Sequence, residues 1–312
     1  MGMALRTKLM VAVYCAASSV MLVLNKGAVT LIPAPGLLLT MQLGATVFLA
    51  LGLHLTGRVT LNLRPSKEVA TAYSSVAIVF LITLYANIKI LEHAGVNAFI
   101  IVRSCTPFAV CVLDFLFMGR KLPNMRSSFS ICATAICCYC YISLKKDNGG
   151  TSEWGANSVF WCFAWYGLFV FDQVFIKAIV DKYPASGWER TLYQNFFAFV
   201  VAGVGLVFCP PATPLADRST SLGWLVVAGS CVFGGLLSYA GLSLRGDVTA
   251  TMFTVLGVGC KMLSILLNEA FLQPTNQPMR LVVIALAVAA SALYQQAPKR
   301  PGRKAADEAT NV

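Results

Sequence analysis

Lys261 has more chemistry to offer than its position should allow. It stands inside Val248–Leu272, a run otherwise apolar enough to cross a bilayer, where an ammonium is costly and normally faces a partner or a ligand rather than lipid. Two glycines precede it in Gly257-Val258-Gly259-Cys260-Lys261, so the backbone there admits close approach. A cation beside accessible backbone, deep in a membrane, suits an anionic solute. Pairing with Glu269 or with another helix is the competing reading. A second cation, Arg103, lies beside Pro107 in the apolar run Val96–Met118. It reads either as a ligand contact or as an interhelical or snorkelled group.

Other chemistries find little support. The histidines are His54 and His93, and the chain lacks an HExxH, a Gly-x-Ser-x-Gly and a GxxxxGK[ST] phosphate loop. No catalytic set, metal site or cofactor is expected. Asp114, Asp172 and Glu269 fall inside apolar runs and read as a proton relay or, more commonly, as partners of Lys177, Lys261 or a helix end. Lys177 reads as snorkelling at a helix terminus. The cysteines, including Cys15, Cys137, Cys138, Cys140 and Cys260, fall mostly inside these runs, where cysteine packs as a small apolar residue; no disulfide framework is expected.

The elements that must position these groups are membrane helices. Of 312 residues 57% are hydrophobic and 12% charged, with a mean hydropathy of +0.72, well outside soluble-domain usage. Runs long enough to span a bilayer number ten: Met10–Thr30, Gly36–Thr56, Val69–Leu91, Val96–Met118, Ser128–Leu144, Trp154–Lys177, Thr191–Cys209, Leu222–Leu242, Val248–Leu272 and Leu281–Tyr294. The class is an all-α membrane protein.

Charge orients the chain. One face holds fifteen basic residues: Arg6, Lys8, Arg58, Arg64, Lys67, Arg120, Lys121, Arg126, Lys182, Arg190, Arg245, Lys299, Arg300, Arg303 and Lys304. The other holds five: Lys89, Lys145, Lys146, Arg218 and Arg280. That bias places both termini in the cytosol. Basic residues scattered through short loops offer no platform for nucleic acid. The first run lacks a small-residue cleavage site before Asn25-Lys26 and reads as a retained helix.

Ten spans suggest five plus five, an odd number per half, which inserts as inverted repeats around a midplane site. The halves are 1–146 and 147–296, followed by a disordered basic tail, 297–312. Under that symmetry the fourth span matches the ninth, and Arg103 matches the neighbourhood of Lys261. Gly36, Gly44, Gly52, Gly234, Gly235 and Gly241 permit close helix contacts, whether for rocking or for static packing.

Several segments resemble a known family. The opening helix Tyr14-Cys15-Ala16-Ala17-Ser18-Ser19 through Asn25-Lys26, the segment Leu192-Tyr193-Gln194-Asn195, Ser238-Tyr239, and Gly257 to Lys261 are similar to nucleotide-sugar transporters of the drug/metabolite transporter superfamily, the Golgi GDP-mannose transporters in particular. The likeness runs from about Tyr14 to Tyr294. It implies that Tyr193, Gln194, Asn195 and Ser238 bind the nucleobase. Gly257, Val258, Gly259 and Lys261, with Arg103, would hold ribose and phosphates, and Tyr14 and Phe253 would line the sugar end. It further implies exchange of a GDP-sugar for GMP without ATP hydrolysis, a membrane-lipid environment and a Golgi location, and it admits a homodimer. The family's Phe-Tyr-Asn-Asn is here altered at Gln194, its Gly-Ala-Leu-Asn-Lys at Val258 and Cys260, and its sugar-end tyrosine at Phe253. Phe99-Ile100-Ile101-Val102-Arg103-Ser104 looks closer to the plant and algal branch. A UDP-sugar or other phosphorylated anion in the same fold remains the nearer alternative, and a non-transporting scaffold or channel the farther one.

Overall fold

The computed structural model describes residues 5–32, 34–145, 155–208, 220–272 and 277–300, without the side chains of 22, 26, 95–97, 145 and 271–272. Its helices are α1 (Leu5–Leu31), α2 (Pro35–Leu55), α3 (Lys67–His93), α4 (Gly95–Phe117), α5 (Met125–Lys145), α6 (Ala156–Lys182), α7 (Gly187–Phe208), α8 (Ser221–Asp247), α9 (Ala250–Leu267) and α10 (Pro278–Ala292). Each coincides with one expected span, and nine are long and apolar enough to cross a membrane. The tenth, α10, has 15 residues and falls short of the usual length.

Local chemistry sets the helix ends. Ser66, Thr220 and Thr249 accept backbone N–H bonds as N-caps of α3, α8 and α9, and Pro35 and Pro278 occupy first-turn positions. Beyond α2 and α4 the chain turns through Gly57 (φ 71°) and Gly119 (φ 61°), the left-handed conformation that glycine adopts without a side-chain clash. The predicted ends at Trp154 and Cys209 lie outside the described residues, as do the proposed boundary at 146/147, Lys146, Arg218 and residues 301–312. The side chain of Lys26 is also outside them. Residues 297–300, expected in a disordered tail, run against 119–121: Lys121 N donates to the Pro298 carbonyl (3.0 Å) and Arg300 N to that of Gly119 (2.8 Å).

Packing follows a consistent pattern. α1 lies against α8 and α9, α3 against α6 and α7, and α2 against α7 and α8. α4 packs on α5, α6 and α9, while α10 packs on α5 and α9. Large apolar residues such as Phe48, Phe163 and Phe208 project outward, as a lipid-facing surface requires. The interior helix is α9: 61% of its span is buried, against 24–39% in the others. Asp114 of α4 secures its first turn, accepting from Thr251 N (2.9 Å) and Thr251 Oγ1 (2.5 Å).

Candidate functional site

One face of α9 presents Phe253, Gly257 and Lys261 at i, i+4 and i+8, a single stripe on a 3.6-residue helix. Gly257 faces α4, where a methyl in place of its hydrogen would sit 3.7 Å from Arg103 Nη2. Lys261 follows Gly257 by one turn on the same stripe, so the two cations face a shared interior. The ion pairs among the described residues are Lys89–Glu92, Lys177–Asp181 and Arg280–Glu269, and neither Arg103 nor Lys261 belongs to one. Arg103 Nε is buried without a hydrogen bond. Its guanidinium lies 4.9 Å from the Phe169 ring centroid and 5.8 Å from that of Phe99. Pro107 cannot donate to the Arg103 carbonyl, and Thr106 Oγ1 does so instead (2.7 Å).

The competing partner for Lys261 is engaged elsewhere. Glu269 sits in a π-helical turn, Asn268–Leu272, that continues α9. It accepts from Tyr141 Oη (2.7 Å) and from Arg280 Nη2. The three buried acids form no relay: Asp114 caps α9, Glu269 holds α5 and α10, and Asp172 accepts from Gln173 Nε2 (3.0 Å).

The remaining predicted residues fall into two groups. Tyr14 and Phe253 meet with ring centroids 5.3 Å apart, opposite Gly241 of α8. A methyl on Gly241 would touch both rings, at 3.4 and 3.8 Å, so the bare backbone makes room for the pair. Farther along α8, Ser238 accepts from Asn195 Nδ2 (2.7 Å), which also donates to the Thr191 carbonyl (2.8 Å). Gly187, two turns before Asn195 on the same α7 face, lets the helices close: a methyl there would collide with Ser243. Gln194 is buried and its Oε1 has no hydrogen-bond partner among the described residues.

Three predicted residues point elsewhere. The Tyr193 hydroxyl donates to the Asn62 carbonyl (2.6 Å) and its ring packs edge-on against Tyr73. Val258 is buried with Tyr141, Met262 and Ile284 on the side toward α5 and α10. A side chain at Gly259 would strike Ser291 of α10, so this glycine serves helix packing.

Two features went unforeseen. Cys15 and Cys260, expected to be independent packing residues, are bonded sulfur to sulfur with Cα atoms 5.1 Å apart. Ser19 and Ser264 meet one turn farther on (2.9 Å). Lying 245 residues apart, the cysteines could be matched only once α1 lay along α9. Arg245, counted among cytosolic loop charges, is instead a buried residue of α8. Its Nη2 donates to Gln173 Oε1 (3.0 Å) and its guanidinium lies 4.2 Å from the Phe253 ring centroid. The signal was present in Ser238, Gly241 and Arg245, spaced i, i+3 and i+7 on one helix face. Lys177, expected to snorkel, is likewise buried; it donates to the Arg245 carbonyl (2.8 Å) and pairs with Asp181 (2.7 Å).

Unneutralised cations at the centre and amides and hydroxyls to one side can hold a phosphate-bearing solute with a polar ring. The comparisons with known proteins agree. No protein-family model matches the chain. A solved crystal structure superposes with a TM-score of 0.71 over 92% of this chain and 96% of that one, at 12% identity, a likeness of fold. GDP-mannose transporter GONST3 of Arabidopsis thaliana is 28% identical over 82% of this chain and 68% of its own length. GDP-fucose transporter 1 of the same plant is 31% identical over 306 residues, 95% of this chain and 87% of its own. These relatives are carriers, and this chain is accordingly a transporter and not an enzyme. Its helices, its central cations and a relationship extending over nearly the whole chain place it in the nucleotide-sugar transporter family.

Proposed function

We propose that the protein carries a GDP-sugar across the Golgi membrane in exchange for GMP, by alternating access, with both termini in the cytosol. The observation that carries this reading is the Arg103–Lys261 pair. Two like charges that share an interior and have no carboxylate partner among the described residues are costly, and a diphosphate dianion placed between them offsets that cost. An empty, doubly positive site would reorient poorly, and a bound nucleotide would relieve it, so exchange follows.

Guanine fits the second group of residues. Its N1–H and N2–H are adjacent donors, and Gln194 Oε1 is a buried acceptor without a hydrogen-bond partner among the described residues. The Asn195 amide N–H groups are taken by Thr191 and Ser238, leaving its Oδ1 to accept. Uracil offers one ring N–H and would leave one of these acceptors unpaired. Tyr193 packs behind them. Tyr14 and Phe253 flank the hexose, with GDP-mannose and GDP-fucose the substrates to try first, after the two relatives.

Helix contacts support two inverted halves. Exchanging each helix for the one five positions away turns α1–α8 into α6–α3, α2–α8 into α7–α3, α4–α6 into α9–α1 and α9–α10 into α4–α5, all of which pack together. Arg103 and Lys261 then occupy equivalent helices on either side of the pseudo-symmetry axis.

The test is counterflow in proteoliposomes preloaded with GMP. We expect uptake of GDP-sugars, inhibited by GMP far more than by UMP. Stronger inhibition by UMP would replace guanine with uracil, and absence of counterflow would remove the transport reading.

A further inference from the structure

Arg245 is the buried charge that the proposed binding mode leaves without a role. It is 9% exposed, and its Nη1 is buried with no hydrogen-bond partner among the described residues. The rest of the guanidinium is firmly held: Nη2 by Gln173 Oε1 at 3.0 Å, and one flat face by the Phe253 ring at 4.2 Å. Its backbone is held as well, since the Arg245 carbonyl accepts from Lys177 Nζ (2.8 Å). A guanidinium fixed this way has lost most of its rotamer freedom before any ligand arrives, and its Nη1 group, with two N–H donors, is left over.

Its position gives that group a direction. On α8, Ser238, Gly241 and Arg245 share a face, Ser238 bonded to Asn195 and Gly241 backing the Tyr14–Phe253 pair. On α9, Phe253 leads through Gly257 to Lys261. Arg245 therefore continues the line of cations, from Lys261 and Arg103 past the two rings toward the α8–α9 turn.

Asp172 helps to hold the arrangement, since its carboxylate accepts from Gln173. Asp172, Gln173 and Arg245 thus form a chain in which the acid orients the amide and the amide orients the guanidinium. Arg103 and Lys261 have no such hydrogen-bonded link to a carboxylate among the described residues. Arg245 can be kept without a ligand at less cost, which suits a group engaged during only part of a transport cycle.

We propose that Arg245 is a third anion-contacting residue of the substrate path. Its free Nη1 donates to a phosphate oxygen of the nucleotide once the Tyr14–Phe253 pair parts toward the α8–α9 turn, and Gln173 and Asp172 act as its positioning residues. The inference rests on the nucleotide-carrier reading but not on the choice of base. A phosphomonoester, compact and dianionic, would gain most from the contact, because its charge is concentrated on the oxygens that Nη1 meets.

The experiment measures binding of a nucleoside monophosphate and of its own nucleoside to purified protein in detergent. The wild type first shows whether GMP or UMP binds more tightly, and the preferred pair is used thereafter. A preference for UMP would end the guanine assignment and leave the test of Arg245 intact; a wild type that binds neither would end both. Arg245→Gln is expected to weaken the monophosphate about ten- to a hundredfold, the range of a lost charged hydrogen bond, while changing the phosphate-free nucleoside less than about twofold. Arg245→Lys, which keeps the charge and loses the fork, should fall between, and it replaces the glutamine variant if that one does not fold. Gln173→Leu should weaken the monophosphate selectively by a smaller factor. Equal weakening of nucleotide and nucleoside, or unchanged affinity for both, would show that Arg245 only staples α6 to α8 and would overturn the proposal.

Discussion

Glu269 and Lys261 lie about two turns apart on one continuous helical stretch, yet their surroundings could hardly differ more. Glu269 is engaged through Oε1, held by Arg280 and Tyr141 where α5, α9 and α10 meet. Lys261 belongs to no ion pair among the described residues and shares its interior with another cation, Arg103. Holding charge away from water is costly in both places, but the first site recovers much of that cost within the protein. The second leaves it open, and a solute has to recover it. In a membrane protein, then, the presence of buried charge separates structure from function poorly; what separates them is whether the charge already has its counterpart.

The sharpest way to break this contrast is to delete each charge. Lys261→Ala should abolish counterflow, by at least about a hundredfold, while leaving the yield of folded protein nearly unchanged. Lys261→Arg should restore part of it, because a fork replaces a point charge. Transport by Lys261→Ala at the wild-type rate would refute the role given to the central cations. Glu269→Ala should do the reverse: a thermal unfolding midpoint lowered in proportion to roughly 3–5 kcal/mol, the cost of stranding a buried partner. Glu269→Ala with Arg280→Ala should regain stability relative to that single variant, and a double variant still less stable would show that the pair is not the unit described here.

The contrast can also be sharpened within the polar cluster. Asn195→Ala should weaken GMP competition by one to two orders of magnitude, roughly 1.4–2.8 kcal/mol, and UMP competition much less. Equal loss for both nucleotides would make Asn195 a packing residue between α7 and α8. The smallest effect is expected at Gly257. A methyl there makes ordinary contact with Arg103 at 3.7 Å, so Gly257→Ala should keep transport within about threefold. Gly259→Ala, which drives a methyl into Ser291, should instead lower stability. If Gly257→Ala proves the more damaging of the two in a melting assay, the division of α9 into a site face and a packing face is wrong.

How much of this was legible beforehand depended on the range of the interactions involved. Ten apolar runs predict ten helices because lipid leaves a spanning segment few other ways to satisfy its backbone; composition and segment length carry that information locally. Lys261 and Arg103 could be singled out for the same reason, since an ionisable residue is conspicuous in apolar sequence. Resemblance to a family then suggested Asn195, Ser238, Tyr14 and Phe253, residues that no rule of composition distinguishes.

What only the tertiary structure decided was which groups meet. Helix rotation turned Tyr193 toward Tyr73 and Asn62, and Val258 and Gly259 toward α5 and α10, although each is a sequence neighbour of residues that face the interior. It brought Cys15 to Cys260 across 245 residues. It carried Arg245 out of its expected loop and onto Phe253. It also gave Glu269 to Arg280, and so settled that Lys261 has no carboxylate partner among the described residues. The physical reason is common to all of these. A run of sequence determines that a helix will form and how deep it lies in the membrane, because both depend on the segment's own transfer from water to lipid. Which side of that helix faces which neighbour depends on side-chain shapes and charges contributed by segments far away in the chain.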